Sequence, residues 1–253
     1  MSLEKADAIV IRMVDFSESS RVVTFFSREF GKFAALAKGA KRIKGPFDAA
    51  LDLLSECRVV FIRKSAGSLN LLTEARLVNR FRPETPDLHR VYSGYYVAEL
   101  LLGLTEDFDP APELYDLATS TLSSISSLST HLPSVLVSFE LLLLRQIGVL
   151  PNLFECAVCG EATDESRETG KAYSHWVTQG GLLCSHCRRE EYSGTAVSAK
   201  TIRVLRQLSS EDSSQNPISD LDPVVALECH RFAVSAVTQV LGHKPSTLRY
   251  LPF

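Results

Sequence analysis

Four of the six cysteines in the chain form two C-x-x-C pairs, Cys156 with Cys159 and Cys184 with Cys187. Each pair can place two thiolates on one metal ion, and the 24 residues between the pairs can fold back to complete a tetrahedron. We therefore predict one structural Zn²⁺ bound by all four cysteines. Two separate redox or disulfide pairs are the alternative that the same spacing leaves open.

The predicted zinc site is not expected to be catalytic, because four thiolates leave a tetrahedral ion no open position for substrate. Gly160, directly after the first pair, suits a tight turn that directs backbone N–H groups at the sulfurs. His186 lies inside the second pair and could compete as a ligand. The site therefore predicts a structural role for zinc rather than hydrolysis.

The sequence contains no glycine-rich phosphate loop, Ser-His-Asp pattern or paired-carboxylate motif that would indicate catalysis. Cys57 and Cys229 fall in a predicted strand and a predicted helix. We interpret both as small buried apolar residues rather than nucleophiles. The sequence thus favours a protein that is not an enzyme.

Composition is that of a globular protein, with 253 residues, 45% hydrophobic and 23% charged. No apolar run approaches the roughly 18 residues that span a bilayer, and the N-terminal residues lack the features of a signal peptide. We therefore expect a cytoplasmic protein, where reducing conditions favour metal binding over disulfides.

Charge is distributed unevenly along the chain. Residues 1–80 carry 14 Lys and Arg against 9 Asp and Glu, whereas residues 81–253 carry 13 against 21. A basic segment joined to an acidic one indicates a polyanionic partner for the first.

Residues 7–80 contain five stretches with the composition of short strands. They cover residues 9–14, 22–26, 33–37, 55–63 and 69–78. Five strands in about 75 residues favour a small closed barrel, with the OB-fold as the leading candidate.

The pattern changes at Pro83 and Pro86, since two prolines in four residues resist both strand and helix. Helices are predicted beyond this point, ending near Gly103, over 112–128 and 132–147, from Ser198 to 208, and after Pro223. We predict an α+β protein with an OB-fold domain at 1–80 and an all-α domain at 81–253. The cysteine module is inserted in the second domain at about 151–192.

The loop after the third predicted strand is the best functional candidate. Lys38, Lys41, Arg42 and Lys44 place four cations in seven positions, flanked by glycines that permit close backbone approach. Such a loop can neutralise phosphates, although a solvated surface loop has the same composition. Arg63 and Lys64 end a neighbouring strand and extend the candidate patch.

Aromatic side chains near this loop could stack on bases, as OB-folds do with single strands. Phe25, Phe26, Phe33 and Phe47 are the candidates. The alternative, which we expect for most of them, is the barrel core.

Several local strings, in this order and spacing, resemble the RecO family of bacterial recombination mediators. They are RVVTFFSREFGKF at 21–33, AKGAKRIKG at 37–45, YYVAEL at 95–100, QIGVLPN at 146–152 and CAVCG at 156–160. The similarity extends from about residue 7 to about residue 250. Arg21, in the first string, joins the candidate DNA-binding residues.

The resemblance implies an N-terminal OB-fold followed by a helical domain that carries a zinc module. It also implies a DNA repair protein that binds single- and double-stranded DNA, anneals complementary strands and works with RecR. Such a protein helps RecA load onto strands coated by the single-stranded DNA-binding protein SSB, whose acidic C-terminal tail it recognises. The expected location is cytoplasmic and associated with the nucleoid.

Two other functions fit parts of the sequence. A zinc-ribbon transcription regulator would read duplex DNA with the cysteine module, but acidic residues between the pairs outnumber the basic ones. These acids are Glu161, Asp164, Glu165 and Glu168. A thiol oxidoreductase would use either C-x-x-C pair, but the pattern lacks the usual βαβ context.

Overall fold

The computed structural model describes residues 2–42, 47, 50–65, 67–163, 173–176, 181–188, 196–209 and 221–253. These residues divide into two compact units. The first contains residues 1–128 with 247–251, and the second contains 129–246 with 252–253.

The first unit begins with five strands. They are β1 (Ser2–Asp15), β2 (Arg21–Ser27), β3 (Gly31–Ala37), β4 (Glu56–Arg63) and β5 (Asn70–Asn79). The strands form a closed barrel in the order β1-β2-β3-β5-β4. Neighbours pair antiparallel except β3 and β5, which pair in parallel from Ala35 with Asn70 to Ala37 with Leu72.

The barrel closes around inward-facing aromatic rings because side chains alternate between the two faces of each strand. Phe25, Phe33 and Phe61 are fully buried, and Phe33 stacks on both of the others, with ring centroids 5.3 and 4.3 Å apart. Ile9, Val10 and Ile11 are all buried, so both faces of the first strand are covered at this point.

Two helices and a short 3₁₀ helix complete the first unit. They are α1 (Leu88–Leu104), α2 (Pro112–Ser126) and the 3₁₀ helix (Ser246–Tyr250). The side chain of Asp87 accepts a hydrogen bond from the His89 N–H and so caps α1. Buried Arg90 donates to the carbonyls of Ile125 and Ser127 at the end of α2, where helix carbonyls lack partners of their own.

The second unit combines three helices with a small sheet. The helices are α3 (Leu132–Gln146), α4 (Ala199–Ser209) and α5 (Pro223–Leu241). The strands are β6 (Asn152–Cys156), β7 (Tyr173–Trp176), β8 (Gly181–Leu183) and β9 (Ala196–Val197), in the order β6-β8-β7-β9. The helices pack against one another, and α4 also packs against β6.

The five predicted barrel strands and the five predicted helices all occur, in the predicted order, but one expectation was wrong. The second domain is not all-α, because β6–β8 of the cysteine module and β9 just beyond it form a four-stranded sheet. In α1, Ala98 is buried, whereas Tyr95 is 38% exposed. The apolar residues of α1 are distributed over all sides of the helix, so its sequence does not define one buried face.

The compact units and the predicted domains have different boundaries, since α1 and α2 belong to the same unit as the barrel. The division at residue 80 therefore stays a prediction. The stretch 210–220 between the last two helices lies outside the described residues.

Among the described residues, α5 is the one helix long and apolar enough to cross a membrane by length and composition. Of the apolar window in this helix, 44% is buried within the protein. Core helices of soluble proteins meet the same criterion, so the helix is weak evidence for a span.

Candidate metal centre and nucleic-acid interface

The sheet of the second unit brings the two C-x-x-C pairs together. Strands β6 and β8 are parallel neighbours, with Cys156 paired to Leu182, so both strands end at the same edge. Cys156 is the last residue of β6, and Cys184 directly follows β8. Gly181 permits this approach because a Cβ at that position would lie 2.7 Å from the Cβ of Ala157.

All four cysteine sulfurs lie within 4.8 Å of one another. The Sγ atoms of Cys159 and Cys184 are 3.7 Å apart, close to the ~3.8 Å edge of a tetrahedron with Zn–S bonds of about 2.3 Å. The Cys184 N–H also points at the sulfur of Cys156, at 3.4 Å. The four sulfurs and the distances between them therefore fit a zinc ion bound by four thiolates.

The turn after the first pair adopts the predicted tight geometry. Gly160 has φ +71°, a conformation that favours glycine. Its N–H donates to the carbonyl of Cys156 at 2.9 Å. In the second pair, the Cys187 N–H donates to the Cys184 carbonyl at 3.2 Å.

Local hydrogen bonds already favour ionisation at one of the four sulfurs. Burial opposes the Cys156 thiolate, but the backbone N–H groups of Cys159, Cys184 and Val158 outweigh it and lower the pKa of Cys156 to about 6. The thiol of Cys187 interacts with the sulfur of Cys159. This interaction, together with burial, raises the pKa of Cys187 to about 12. Binding of a metal requires deprotonation of these thiols and would therefore release protons.

His186 belongs to a second group of possible ligands that includes Glu161 and Cys184. The histidine side chain is 78% exposed, and its Nδ1 is 3.8 Å from the Glu161 carboxylate. This group shares Cys184 with the four-cysteine set, so the two sets are alternatives. A structural zinc site needs four tetrahedral ligands; the four-cysteine set supplies four and the second group only three, which favours the four-cysteine set.

Cys57 and Cys229 are buried, as predicted. Burial raises the pKa of Cys57 to about 12, and it also raises the pKa of Cys229. Both thiols therefore remain protonated at neutral pH, which is the opposite of what a nucleophile needs.

Arg206 on α4 stabilises the strand that carries Cys156, although no motif in the sequence singles it out. Its guanidinium donates to the carbonyl of Leu153 at 3.0 and 3.2 Å and hydrogen bonds to the hydroxyl of Thr163. It also lies over the ring of Phe154, 4.5 Å from the centroid. Only the amphipathic character of α4 could have indicated that this arginine faces the module.

The basic loop lies at the end of the barrel where β3 leaves the sheet. Lys38, Lys41 and Arg42 are exposed along this loop. The Lys41 N–H donates to the Ser19 carbonyl at 3.1 Å, which joins the loop to the turn between β1 and β2.

A single carboxylate holds two of the predicted DNA-binding cations together. Asp15 accepts from Arg21 at 3.1 Å and from Lys41 at 2.9 Å. Both hydrogen bonds lower the pKa of Asp15, and the bond from Lys41 has the larger effect. Because one negative charge faces two positive ones, the cluster remains cationic.

The other predicted DNA-binding cations that the structure describes are not part of the Asp15 cluster. Arg63 lies over the ring of Phe108, 4.2 Å from its centroid. The N–H of exposed Lys64 donates to Asn70, which in turn donates to the Ala34 carbonyl. Lys38 is four residues beyond Ala34, about 13 Å along a strand. Lys44 lies outside the described residues.

The aromatic residues suggested for base stacking belong to the core. Phe25, Phe26 and Phe33 have no exposed surface, and Phe47 is 4% exposed, so none can stack on a base. Sequence reasoning missed Phe16, which is 63% exposed and follows Asp15. Its position between a strand and a serine-rich turn was the available signal.

A cavity of about 500 Å³ lies beside β6 in the second unit. Its lining combines two arginines, Arg145 and Arg206, with the apolar residues Leu150, Pro151 and Phe154. The Arg145 guanidinium donates to the Ser209 carbonyl at 2.9 Å. The cavity thus offers apolar surface next to positive charge.

Two family profiles together cover nearly the whole chain. The profile described as "Recombination protein O N terminal" matches residues 1–81, and "Recombination protein O C terminal" matches residues 85–249. The chain belongs to the RecO family.

Relatives from distant bacteria agree with this assignment. The "DNA repair protein RecO" of Rhodopirellula baltica is 40% identical over 215 residues, covering 85% of this chain and 78% of the relative. The RecO of Halalkalibacterium halodurans is 34% identical over 80% of this chain and 76% of its own. The RecO of Anaeromyxobacter dehalogenans is 29% identical over 99% and 96% of the two chains.

Membership of the RecO family supports a role in DNA repair. It also suggests which polyanion would bind the basic end of the barrel. RecO relatives are named for repair, and DNA is the polyanion that a basic patch in such a protein would meet. The cysteine cluster, by contrast, is compatible with zinc on geometry alone.

Proposed function

We propose that this protein is a non-enzymatic DNA-binding and strand-annealing factor of recombinational repair. The observation that carries the proposal is the cluster of exposed and half-buried cations at one end of the barrel in a RecO-family chain. Lys38, Lys41 and Arg42 lie in the loop after β3, and Arg21 begins β2. The loop is joined to the turn before β2 by the hydrogen bond from the Lys41 N–H to the Ser19 carbonyl. Such a surface neutralises phosphates without reading bases.

The barrel itself supports an OB-fold. Its strand order, with β1 between β2 and β4 and a parallel β3–β5 contact, suits a five-stranded Greek-key barrel. OB-folds bind oligonucleotides with their strand 2–3 face and with the loops after strands 1 and 4. In this chain, those loops carry Phe16 and Lys64.

Salt dependence tests the electrostatic part of the proposal. If about five side chains neutralise phosphates, log K for single strands falls with log salt at a slope of about −3 to −4. Changing Lys41, Arg42 and Lys44 together to Ala should flatten this slope by about 2 and weaken annealing. Titration of a fluorescent oligonucleotide at several salt concentrations measures both.

A matched control removes three exposed cations from the second unit, by changing Lys200, Arg231 and Lys244 to Ala. We expect this variant to keep the wild-type slope. Unchanged affinity and slope in the loop variant would remove the basic loop from the proposed interface.

Strand annealing tests the activity directly. We expect the protein to anneal complementary oligonucleotides coated with SSB in the absence of nucleotide, since the sequence has no phosphate loop for a motor. Addition of RecR should then promote RecA loading on the coated strand. A protein that leaves SSB-coated strands unannealed would contradict the proposal.

The cavity beside β6 is our candidate for the acidic SSB tail. Arginines beside apolar surface complement a peptide that carries both carboxylates and apolar side chains. Exposed Phe154 can be changed to Ser with little effect on the core, since it is 64% exposed. This change should weaken binding of a fluorescent SSB-tail peptide about 5-fold or more.

Val158→Ser is the matched control for the peptide experiment, because Val158 is an exposed apolar residue (58%) of the same module that does not line the cavity. We expect it to bind the peptide like the wild type. Equal weakening in both variants would place the tail outside the cavity.

Zinc has a structural role in this proposal. Cys156, Cys159, Cys184 and Cys187 would hold the ion, which ties the ends of β6 and β8 together and supplies folding free energy to a small sheet. We place the protein in the cytoplasm, associated with the nucleoid.

A further inference from the structure

Phe16 presents an aromatic ring to solvent at the end of the barrel that carries the basic loop. It is 63% exposed and directly follows Asp15, the last residue of β1. A ring in water forgoes the free energy that burial would give it. The aromatic core of the barrel is complete without this ring, so Phe16 is available for contact with a ligand.

The turn holds the backbone of Phe16 in a defined position. The Phe16 N–H donates to the Ser20 carbonyl at 3.0 Å, and the Ser17 N–H donates to the same carbonyl at 3.2 Å. From the basic loop, the Lys41 N–H donates to the Ser19 carbonyl at 3.1 Å, and its side chain reaches the Ser17 carbonyl at 3.5 Å. The ring and the basic loop are thus fixed to one small framework.

The charges next to Phe16 suit the backbone of a nucleic acid. Arg21 and Lys41 converge on Asp15, whose Cα is about 3.8 Å from that of Phe16. A phosphate near these cations and a base on the ring could therefore belong to adjoining nucleotides of one strand. Glu18 in the same turn adds a second carboxylate, and Lys38 and Arg42 add two further cations in the basic loop.

We propose that Phe16 is a base-stacking residue for single-stranded DNA, with Arg21 and Lys41 binding the adjoining phosphate. This inference rests on the proposed DNA-binding function and adds to it a preference for unpaired strands. Every base has a π-face, so stacking tolerates any sequence. Bases within a duplex are already stacked and do not offer that face.

The test compares two oligonucleotides of equal length and phosphate number, oligo(dT) and an abasic strand. Phe16→Ala should weaken oligo(dT) binding about 10-fold while abasic binding and the salt slope remain unchanged. Leu3→Ala is the matched control, because Leu3 is also 63% exposed and lies near the start of the same strand. It should bind both oligonucleotides like the wild type.

Phe16→Trp supplies a direct signature of stacking. The sequence contains one tryptophan, Trp176, so the new signal is obtained by difference from the wild type. We expect oligo(dT) to quench the fluorescence of the introduced tryptophan and the abasic strand to leave it unchanged. Affinity for oligo(dT) should be retained.

Two outcomes would overturn the stacking role. In one, Phe16→Ala binds oligo(dT) as tightly as the wild type and as Leu3→Ala. In the other, it loses affinity equally for oligo(dT) and for the abasic strand, which would mean that the ring acts through the shape of the turn. A wild-type protein that binds neither oligonucleotide would instead contradict the proposed DNA-binding function itself.

Discussion

Asp15 controls the charge at the basic end of the barrel, which is the proposed DNA-binding surface. It is 61% exposed at the side chain, yet it accepts hydrogen bonds from both Arg21 and Lys41. Because these bonds lower the pKa of Asp15, the group remains charged at neutral pH. Its interaction with the cations is present above the ordinary carboxyl pKa and is lost only as pH falls through the lowered value. A DNA phosphate must therefore compete with this carboxylate for the same two cations.

Asp15→Asn should strengthen binding to single strands, because Arg21 and Lys41 become available to phosphates. We expect affinity to rise several-fold at low salt and the salt slope to steepen by about 1. An oligonucleotide titration at several salt concentrations measures both quantities. Glu18→Gln is the control, since it removes the same charge from the same turn and the structure gives Glu18 no ion pair among the described residues. Equal gains from both variants would show that only net charge matters.

At the scale of elements, the turn from β2 into β3 depends on a glycine. Gly31 has φ +63°, and a Cβ at this position would overlap the backbone carbonyl of Asp109. The neighbouring Lys32 donates to the Leu102 carbonyl at 2.8 Å and hydrogen bonds to the Thr105 carbonyl at the end of α1. The β3 strand and the chain after α1 are thus held in close contact within the first unit.

Gly31→Ala should lower the free energy of unfolding by about 2–4 kcal/mol, since it adds a backbone clash to the strain of a positive φ. Gly67→Ala is the control: it has φ +82° and no atom within 4 Å of an added Cβ. Strain alone should then cost about 1 kcal/mol. Urea unfolding followed by circular dichroism compares the two. A Gly31 variant as stable as the Gly67 variant would mean that residue 109 moves away at little cost.

Predictability from sequence differed between elements for physical reasons. The five barrel strands were predictable because branched and aromatic residues over 5–10 positions give a strong period of two. The β6–β9 sheet was missed because its described strands have two to five residues, too few to show alternation. The buried face of α1 was also missed, since its apolar residues occur all round the helix.

The candidate sites show the same contrast. The four cysteines were predictable as a cluster, because a C-x-x-C pair specifies its geometry within a few residues. The pairing of Arg21 and Lys41 through Asp15 was not, because it depends on how two loops far apart in sequence meet. Among the aromatic residues, Phe25 and Phe33 were candidates for stacking because they lie near the basic loop in sequence, although the barrel core was expected for most such rings. Strand alternation does place them inside the barrel, and Phe16 in the turn remains exposed.

At the scale of the whole molecule, the two compact units separate the proposed activity from the proposed zinc site. The basic cluster and Phe16 belong to the first unit, and the four cysteines belong to the second. Cys159 is exposed, so its removal leaves no cavity in the core. A loss of stability in a Cys159 variant would therefore point to loss of the proposed metal rather than to a packing defect.

Cys159→Ala should abolish stoichiometric zinc and lower the Tm of the full-length protein by about 5–10 °C. Its affinity for single strands at the same salt should remain close to that of the wild type, measured well below the lowered Tm. Metal content, a melting curve and an oligonucleotide titration give the three values. Cys229→Ala is the control, because Cys229 is a fully buried cysteine outside the cluster. It should lose some stability through packing and yet retain zinc. A Cys159 variant that melts like the wild type but no longer binds DNA would reverse these assignments, and the zinc module would then have to be part of the DNA-binding surface.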